Sequence, residues 1–304
     1  MTKLTLPLLI ISLNLDINSG CCCKFAPKKE TPKVTKNNKK TKLTKNNIKP
    51  LKNIKPNVPK NISEIIIGSN NLKYGKNNFK RTKINESDID NKNFTNKSYT
   101  YEVDSKLFTI IFKKCSKVNV NFASDIGHND NGPFILVAMK YRNKYFIVYI
   151  KNSNMHDDRG AFNNVYQMTD IKVIKSGKIT NCNCMFANCF DLETADLSAL
   201  NTSKTTRMNN MFSGCWKLKS LDISNFNTFK VTDMDNMFHG CEKLKYLNLI
   251  SFDTSKVTNY SHIFNLCEPE EIKIDKNKNE NICNVLGARY KYNSSSKTFI
   301  KIKK

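Results

Sequence analysis

Along the second half of the chain, the pattern of apolar positions repeats every 26 residues. Phe186, Phe212, Phe238 and Phe264 fall in one column, Cys189, Cys215, Cys241 and Cys267 in a second, and Lys178, Lys204, Lys230 and Lys256 in a third. A period of about 20–29 residues marks a stack of equivalent units, each covering the apolar face that its neighbour leaves open. Each row has the same internal order. "LKSLDISNF" (218–226) sets Leu218, Leu221, Ile223 and Phe226 at relative positions that "LKYLNLISF" (244–252) and "LETADLSAL" (192–200) repeat. This alternation predicts a short strand with Leu221 and Ile223 inward and Asp222 outward. Val231, Met234, Met237, Phe238 and Cys241 then follow helical spacing, which predicts a helical run. Thr206, Thr232 or Thr258 would cap its start, and Gly214 or Gly240 would end it in a left-handed conformation. The expected fold class is therefore an α/β solenoid of three to four rows over 176–275, with Leu221, Phe238 and Leu247 in its core.

The flanking patterns are different. From 98 to 175 the chain reads as a β-rich cap or subdomain. "SYTYEV" (98–103), "LFTIIF" (107–112) and "VNVNF" (118–122) are read as strands. "FILVAMKYRNKYFIVYI" (134–150) is read as a hairpin turning at Arg142-Asn143, and "YQMTDIKVI" (166–174) as a capping strand. After the rows, "EEIKID" (270–275) keeps a strand pattern, and "YKYNSSSKTFIKIKK" (290–304) reads as a closing hairpin within a C-terminal cap spanning 276–304.

Charge changes the picture upstream. The 304 residues carry a net +24, and residues 24–95 hold 19 Lys+Arg against 5 Asp+Glu, whereas residues 179–268 hold 8 against 9. The excess therefore belongs to 24–95, whose Lys, Asn, Thr and Pro bury too little to offset ordering entropy. That segment is read as a disordered basic linker, with Ile65-Ile66-Ile67 as a possible short strand inside it. The favoured reading is a solvated spacer; contact with anionic surfaces is the functional alternative, and because aromatic residues are few and no recognised nucleic-acid module is present, a membrane is favoured over nucleic acid as that partner. Residues 1–23 form a signal-like start: an apolar run from Leu4 to Leu13, then Ser19-Gly20-Cys21. This predicts export with lipid attached at Cys21. Acylation of Cys22 or Cys23, or a plain apolar tail on an intracellular protein, are the other readings.

The candidate chemistry is sparse. The periodic cysteines read best as small buried hydrophobes, with disulfides or metal ligation as alternatives. His156, Asp157, Asp158 and Arg159 lie consecutively on a loop, where neighbouring side chains diverge, and are given no catalytic role. No cofactor or metal is expected.

"LDISNFNTFKVTDMDNMFHGCEKL" (221–244), continued by "NLISFDTSKVTNYSHIF" (248–264), closely resembles the repeat of the BspA-type leucine-rich-repeat surface proteins. The resemblance covers about 175–270. It implies an exported or surface-anchored bacterial protein that mediates adhesion or protein binding, a host protein being one such partner, without catalysis. Binding is expected on the exposed strand face, at Glu193, Asp196, Lys219, Asp222, Lys245, Tyr246 and Asn248. The competing expectation is an intracellular effector, or a protein associated with nucleic acid or anionic membrane, that uses the basic arm.

Overall fold

The computed structural model describes residues 64–84, 98–114, 119–130, 132–151 and 160–302. Its strands are β1 (Glu64–Ile67), β2 (Asn71–Tyr74), β3 (Asn77–Thr82), β4 (Ser98–Val103), β5 (Asn119–Phe122), β6 (Phe134–Tyr141), β7 (Lys144–Lys151), β8 (Met168–Ser176), β9 (Thr194–Asp196), β10 (Ser220–Asp222), β11 (Tyr246–Asn248), β12 (Glu271–Lys273), β13 (Tyr290–Asn293) and β14 (Thr298–Lys301). The two α-helices among the described residues are α1 (Ser105–Lys114) and α2 (Glu280–Leu286). One mixed sheet of ten strands runs β10-β9-β8-β6-β7-β4-β3-β2-β1-β5, and a second of four runs β11-β12-β14-β13.

The hairpin β6–β7 is the hub. Alternate residues supply two cores on opposite faces, as a near-continuous apolar run requires. Val137, Met139, Val148 and Ile150 join the core shared with the repeat rows. Leu136, Ala138, Ile147 and Tyr149 join a second core with Leu107 and Ile111 of α1 and with Ile65, Ile67 and Leu72. Arg142 and Asn143 take positive φ at the turn, as a two-residue hairpin needs.

Two of the upstream expectations are corrected. The linker assigned to 24–95 is ordered over 64–84, where β1, β2 and β3 form consecutive antiparallel pairs. Ile65, Ile67, Leu72 and Tyr74 point inward at alternate positions and are buried, so a few apolar residues anchor a segment whose composition is otherwise polar. Residues 107–112 form most of α1 rather than a strand. Asp104 caps that helix, accepting from the Leu107 amide at 2.7 Å, and Leu107, Phe108 and Ile111 bury one helical face.

The expected α/β solenoid is also overturned. The described chain is mainly β, organised by the ten-stranded mixed sheet, and residues 179–268 contain no helix. The run read as helical is instead a chain of tight turns. Within it, amides alternate between two kinds of acceptor. Met211, Ser213 and Cys215 donate three residues back, to Met208, Asn210 and Phe212. Asn210, Phe212 and Gly214 donate to Asp235, Met237 and His239 of the next row, at 2.8–2.9 Å. Two left-handed residues per row drive this alternation. One column is Cys184, Asn210, Asn236 and His262; the other is Asn188, Gly214, Gly240 and Leu266. From Cys184 to Gly240, each left-handed residue donates its own amide to the next row while the amide after it closes a tight turn three residues back; the conformation breaks a helix, and Asn and Gly tolerate it best. The expected left-handed Gly214 and Gly240 are present, at φ +78 and +73.

Thr206, Thr232 and Thr258 do not cap helices. Thr232 and Thr258 hydrogen-bond by amide and hydroxyl to Thr206 O and Thr232 O, one row back, as Thr206 does to Thr180 O. Buried Thr202 and Thr228 each donate to a carbonyl and accept from an amide one row ahead, at Asn227 and Asp253 respectively. Asp222, Asn227 and Asp233 close three corners of one row by accepting the amide two residues on.

The rings of Phe162, Phe186, Phe212, Phe238 and Phe264 stack with centroids 5.4–5.9 Å apart and planes within 7°. The Cys189, Cys215 and Cys241 thiols donate to the carbonyls of Phe162, Phe186 and Phe212 at 3.1, 3.2 and 3.4 Å. The rows are closed at both ends. On one side β9 pairs in parallel with β8 of the large sheet; on the other, β14 pairs antiparallel with β12 and α2 joins the core.

Phe238→Ala is expected to lower stability by about 3–5 kcal/mol, since it empties one position of a continuous ring stack. Gly214→Ala should cost about 1–2 kcal/mol for its left-handed backbone, and a Cβ there would also meet Asn188 Oδ1 at 2.9 Å. Denaturant titration measures both. Unchanged midpoints would contradict the row geometry described here.

Candidate interaction surface

The seven residues expected on the strand face are solvent-facing or half-buried, but they do different things. Asp196, Asp222 and Asn248 occupy equivalent positions in successive rows. Each accepts the amide two residues on, from Ser198, Ser224 and Ile250, at 3.2, 3.0 and 3.2 Å. They therefore shape turns. Asp196 also pairs with Lys172 Nζ at 2.7 Å, and Lys172 donates to Phe112 O at the end of α1. This lysine ties the helix to the first row. Burial opposes ionisation of Asp196, but hydrogen bonds from Lys172 and Ser198 outweigh it and hold the carboxyl below its ordinary value.

Glu193 pairs with Lys219 at 2.7 Å and Lys245 with Glu270 at 3.2 Å, and Asp191–Lys217 at 2.7 Å lies alongside. These exposed pairs join adjacent rows, and each is worth about 0–1 kcal/mol.

Tyr246 stands apart from the other six. It is 62% exposed, the largest exposure among the big apolar side chains described. Across the sheet it lies opposite Glu271, which lies opposite Ile300. Ile300 and Ile302 are about half exposed, at 51% and 50%. With Ala288 they line an open groove of ≈1060 Å³ whose charged walls are Glu268, Glu270, Glu271, Arg289 and Lys301. Glu268 bridges Lys301 at 2.8 Å and Arg289 at 2.9 Å, and these bonds hold its carboxyl below the usual range. The sequence reading singled out Tyr246 but not Ile300 or Ile302. Their only signal was the alternation of "TFIKIK", which does not reveal the strand that the hairpin joins.

Other chemistry-bearing groups have structural placements. Cys182, Cys189, Cys215, Cys241, Cys267 and Cys283 are free and buried, which settles the periodic column as unpaired thiols. Burial pushes Cys182 and Cys189 up to about 12 and Cys283 to about 11. Among the described residues, no group of three His, Cys, Asp or Glu side chains is placed to hold a metal ion. His128 bonds to the Tyr149 hydroxyl at 2.8 Å and to Asp130 at 3.0 Å, and stacks on Phe122, so it fastens the loop after β5 onto the sheet. Cys21 and residues 156–159 lie outside the described residues.

Residues 154–282 are similar to a family described as "Mycoplasma protein of unknown function, DUF285". That span contains the repeat rows and β8 to β12, but not the hairpin β2–β3. No curated protein and no solved structure matches the chain. Among the described residues, no helix is long and apolar enough to cross a membrane.

The lowered Asp196 carboxyl makes a signed prediction. A depressed folded value contributes stability that is complete above the ordinary value of 3.8 and is lost as pH falls through the folded value. The melting-temperature gap between wild type and Asp196→Asn should therefore be present at neutral pH and close in acid. A gap that persists unchanged in acid would contradict the Lys172–Asp196 assignment.

Proposed function

We propose that this protein is a non-enzymatic binding protein that engages a protein partner through the outer face of β11, β12 and β14. The observation that carries this reading is the juxtaposition of exposed Tyr246 and Ile300 across Glu271, beside Ile302, over an open groove rimmed by charges of both signs. Tyrosine supplies a large, stiff contact area at low entropic cost, and interface energy concentrates at such anchors. A cluster of apolar side chains within a charged rim is the usual anatomy of a recognition patch. The ion pairs and turn-closing carboxylates of the neighbouring rows support the reading, because they hold this face flat and pre-formed. The resemblance of the rows to BspA-type surface proteins favours adhesion as the setting.

The test is cross-linking from a photoreactive residue at position 248, followed by titration of the captured protein against the full chain. Tyr246→Ser combined with Ile300→Ser should weaken that binding at least about tenfold, the loss expected of two anchor residues. The melting temperature should be unaffected, because both side chains are exposed. A partner that binds the double variant as tightly as wild type would contradict this face as the binding site.

A further inference from the structure

The hairpin β2–β3 presents a surface of a different kind. Lys73, Lys76, Lys80 and Lys83 are all exposed, and none makes an ion pair among the described residues. By contrast, Lys217, Lys219 and Lys245 of the repeat rows each meet a carboxylate. The cross-strand register alternates cation and amide: Lys73 lies opposite Asn78, and Asn71 opposite Lys80. Beside them an open groove is lined by Asn70, Asn71, Asn78, Lys80, Arg81, Thr82 and Lys83, with no carboxylate among the described residues. Every polar side chain lining it can donate a hydrogen bond. Between 64 and 84 the sole acidic residue is Glu64, whose carboxylate accepts from Asn121.

We propose that this hairpin docks the protein on an anionic phospholipid surface. Lysines and amides on a two-stranded ribbon offer many point charges and donors to phosphate oxygens in a plane. Directed base recognition relies on guanidinium forks and stacking rings. Here the one guanidinium is already committed, donating to Ser98 O at 3.2 Å and lying 4.4 Å from the Tyr99 ring centre. Tyr74 is buried in the core, so the hairpin has no free aromatic platform beyond half-buried Phe79. Residues 24–63, which lead directly into β1, carry 13 Lys against a single Glu, so the same sign of charge continues along the chain. Each lysine held near an anionic leaflet strengthens binding about fivefold, and salt screens the effect. The docking face is separate from the Tyr246 face and does not depend on it.

The test uses the full chain with vesicles of phosphatidylcholine containing phosphatidylglycerol, pure phosphatidylcholine vesicles, and a DNA duplex, all at one salt concentration. Wild type should bind the anionic vesicles alone and release them as salt rises. K73Q/K76Q/K80Q/K83Q should bind them at least about tenfold more weakly, given about fivefold per lysine. A second variant, K204Q/K230Q/K243Q/K278Q, removes the same charge from exposed positions elsewhere and should lose far less. Melting temperatures report that both variants are folded. Equal losses in the two variants would reduce the effect to net charge and overturn the proposal, as would no loss in the first. Tighter binding to the duplex than to the vesicles, abolished by the hairpin variant, would replace the lipid partner with nucleic acid.

Discussion

The row-to-row hydrogen bond donated from a tight turn is the interaction on which the repeat block rests. Buried amides must find acceptors, and a helix would have used all but those of its first turn internally. In this chain a left-handed residue at positions such as Asn210 and Gly214 turns alternate amides toward the next row. The turns thus become the adhesive between rows. The side-chain ladders follow from that geometry. Because equivalent backbone atoms repeat in register, Phe stacks on Phe, and the thiols of Cys189, Cys215 and Cys241 reach a Phe carbonyl one row back. Cysteine suits the site because it is small enough for a packed interior and still donates weakly.

A stack held in this way would by itself be open at both ends, and the closures there show how the rest of the protein serves it. β8 is antiparallel to β6 and parallel to β9, so one strand converts the large sheet into the first row. At the other end β14 runs antiparallel to β12 and stops the parallel pairing. The ladder of strands is not continuous between them, since β10 and β11 belong to different sheets. The turn amides and the Phe212–Phe238 stack carry the connection across that break. The same closing hairpin brings Ile300 beside Tyr246, so the device that ends the stack also builds the candidate interaction face.

The 26-residue columns, the short strands and the hairpins of β6–β7 and β13–β14 were legible from spacing alone. The tight turns that stand where a helix was expected were not, because apolar residues at i, i+3 and i+7 fit a helix and a run of successive turns with one buried side equally well. The discriminating residues were present in "NNMFSGC": Asn210 and Gly214 lie four apart, and both suit a left-handed backbone better than a helix interior. In "LFTIIF" the opposite error arose, since β-branched content outweighed the Asp104 cap three residues earlier. Composition hid β1 to β3, where Ile65, Ile67, Leu72 and Tyr74 alternate inward amid lysine and asparagine. On the candidate face, Tyr246 could be named from its outward position in a row. Asp196, Asp222 and Asn248 also face outward, at the last position of each short strand, but their turn-closing role depends on the corner that follows. Ile300 joined the site only through a long-range pairing that no local pattern encodes.

Native-state hydrogen exchange tests the central claim most directly. The amides of Phe212, Gly214, Phe238 and Gly240 donate between rows, so they should exchange only with the global opening of the core and match the protection of Val137 and Val148 in β6 and β7. If these four amides exchange at rates typical of surface turns while β6 and β7 stay protected, the turns do not hold the rows together and the account fails.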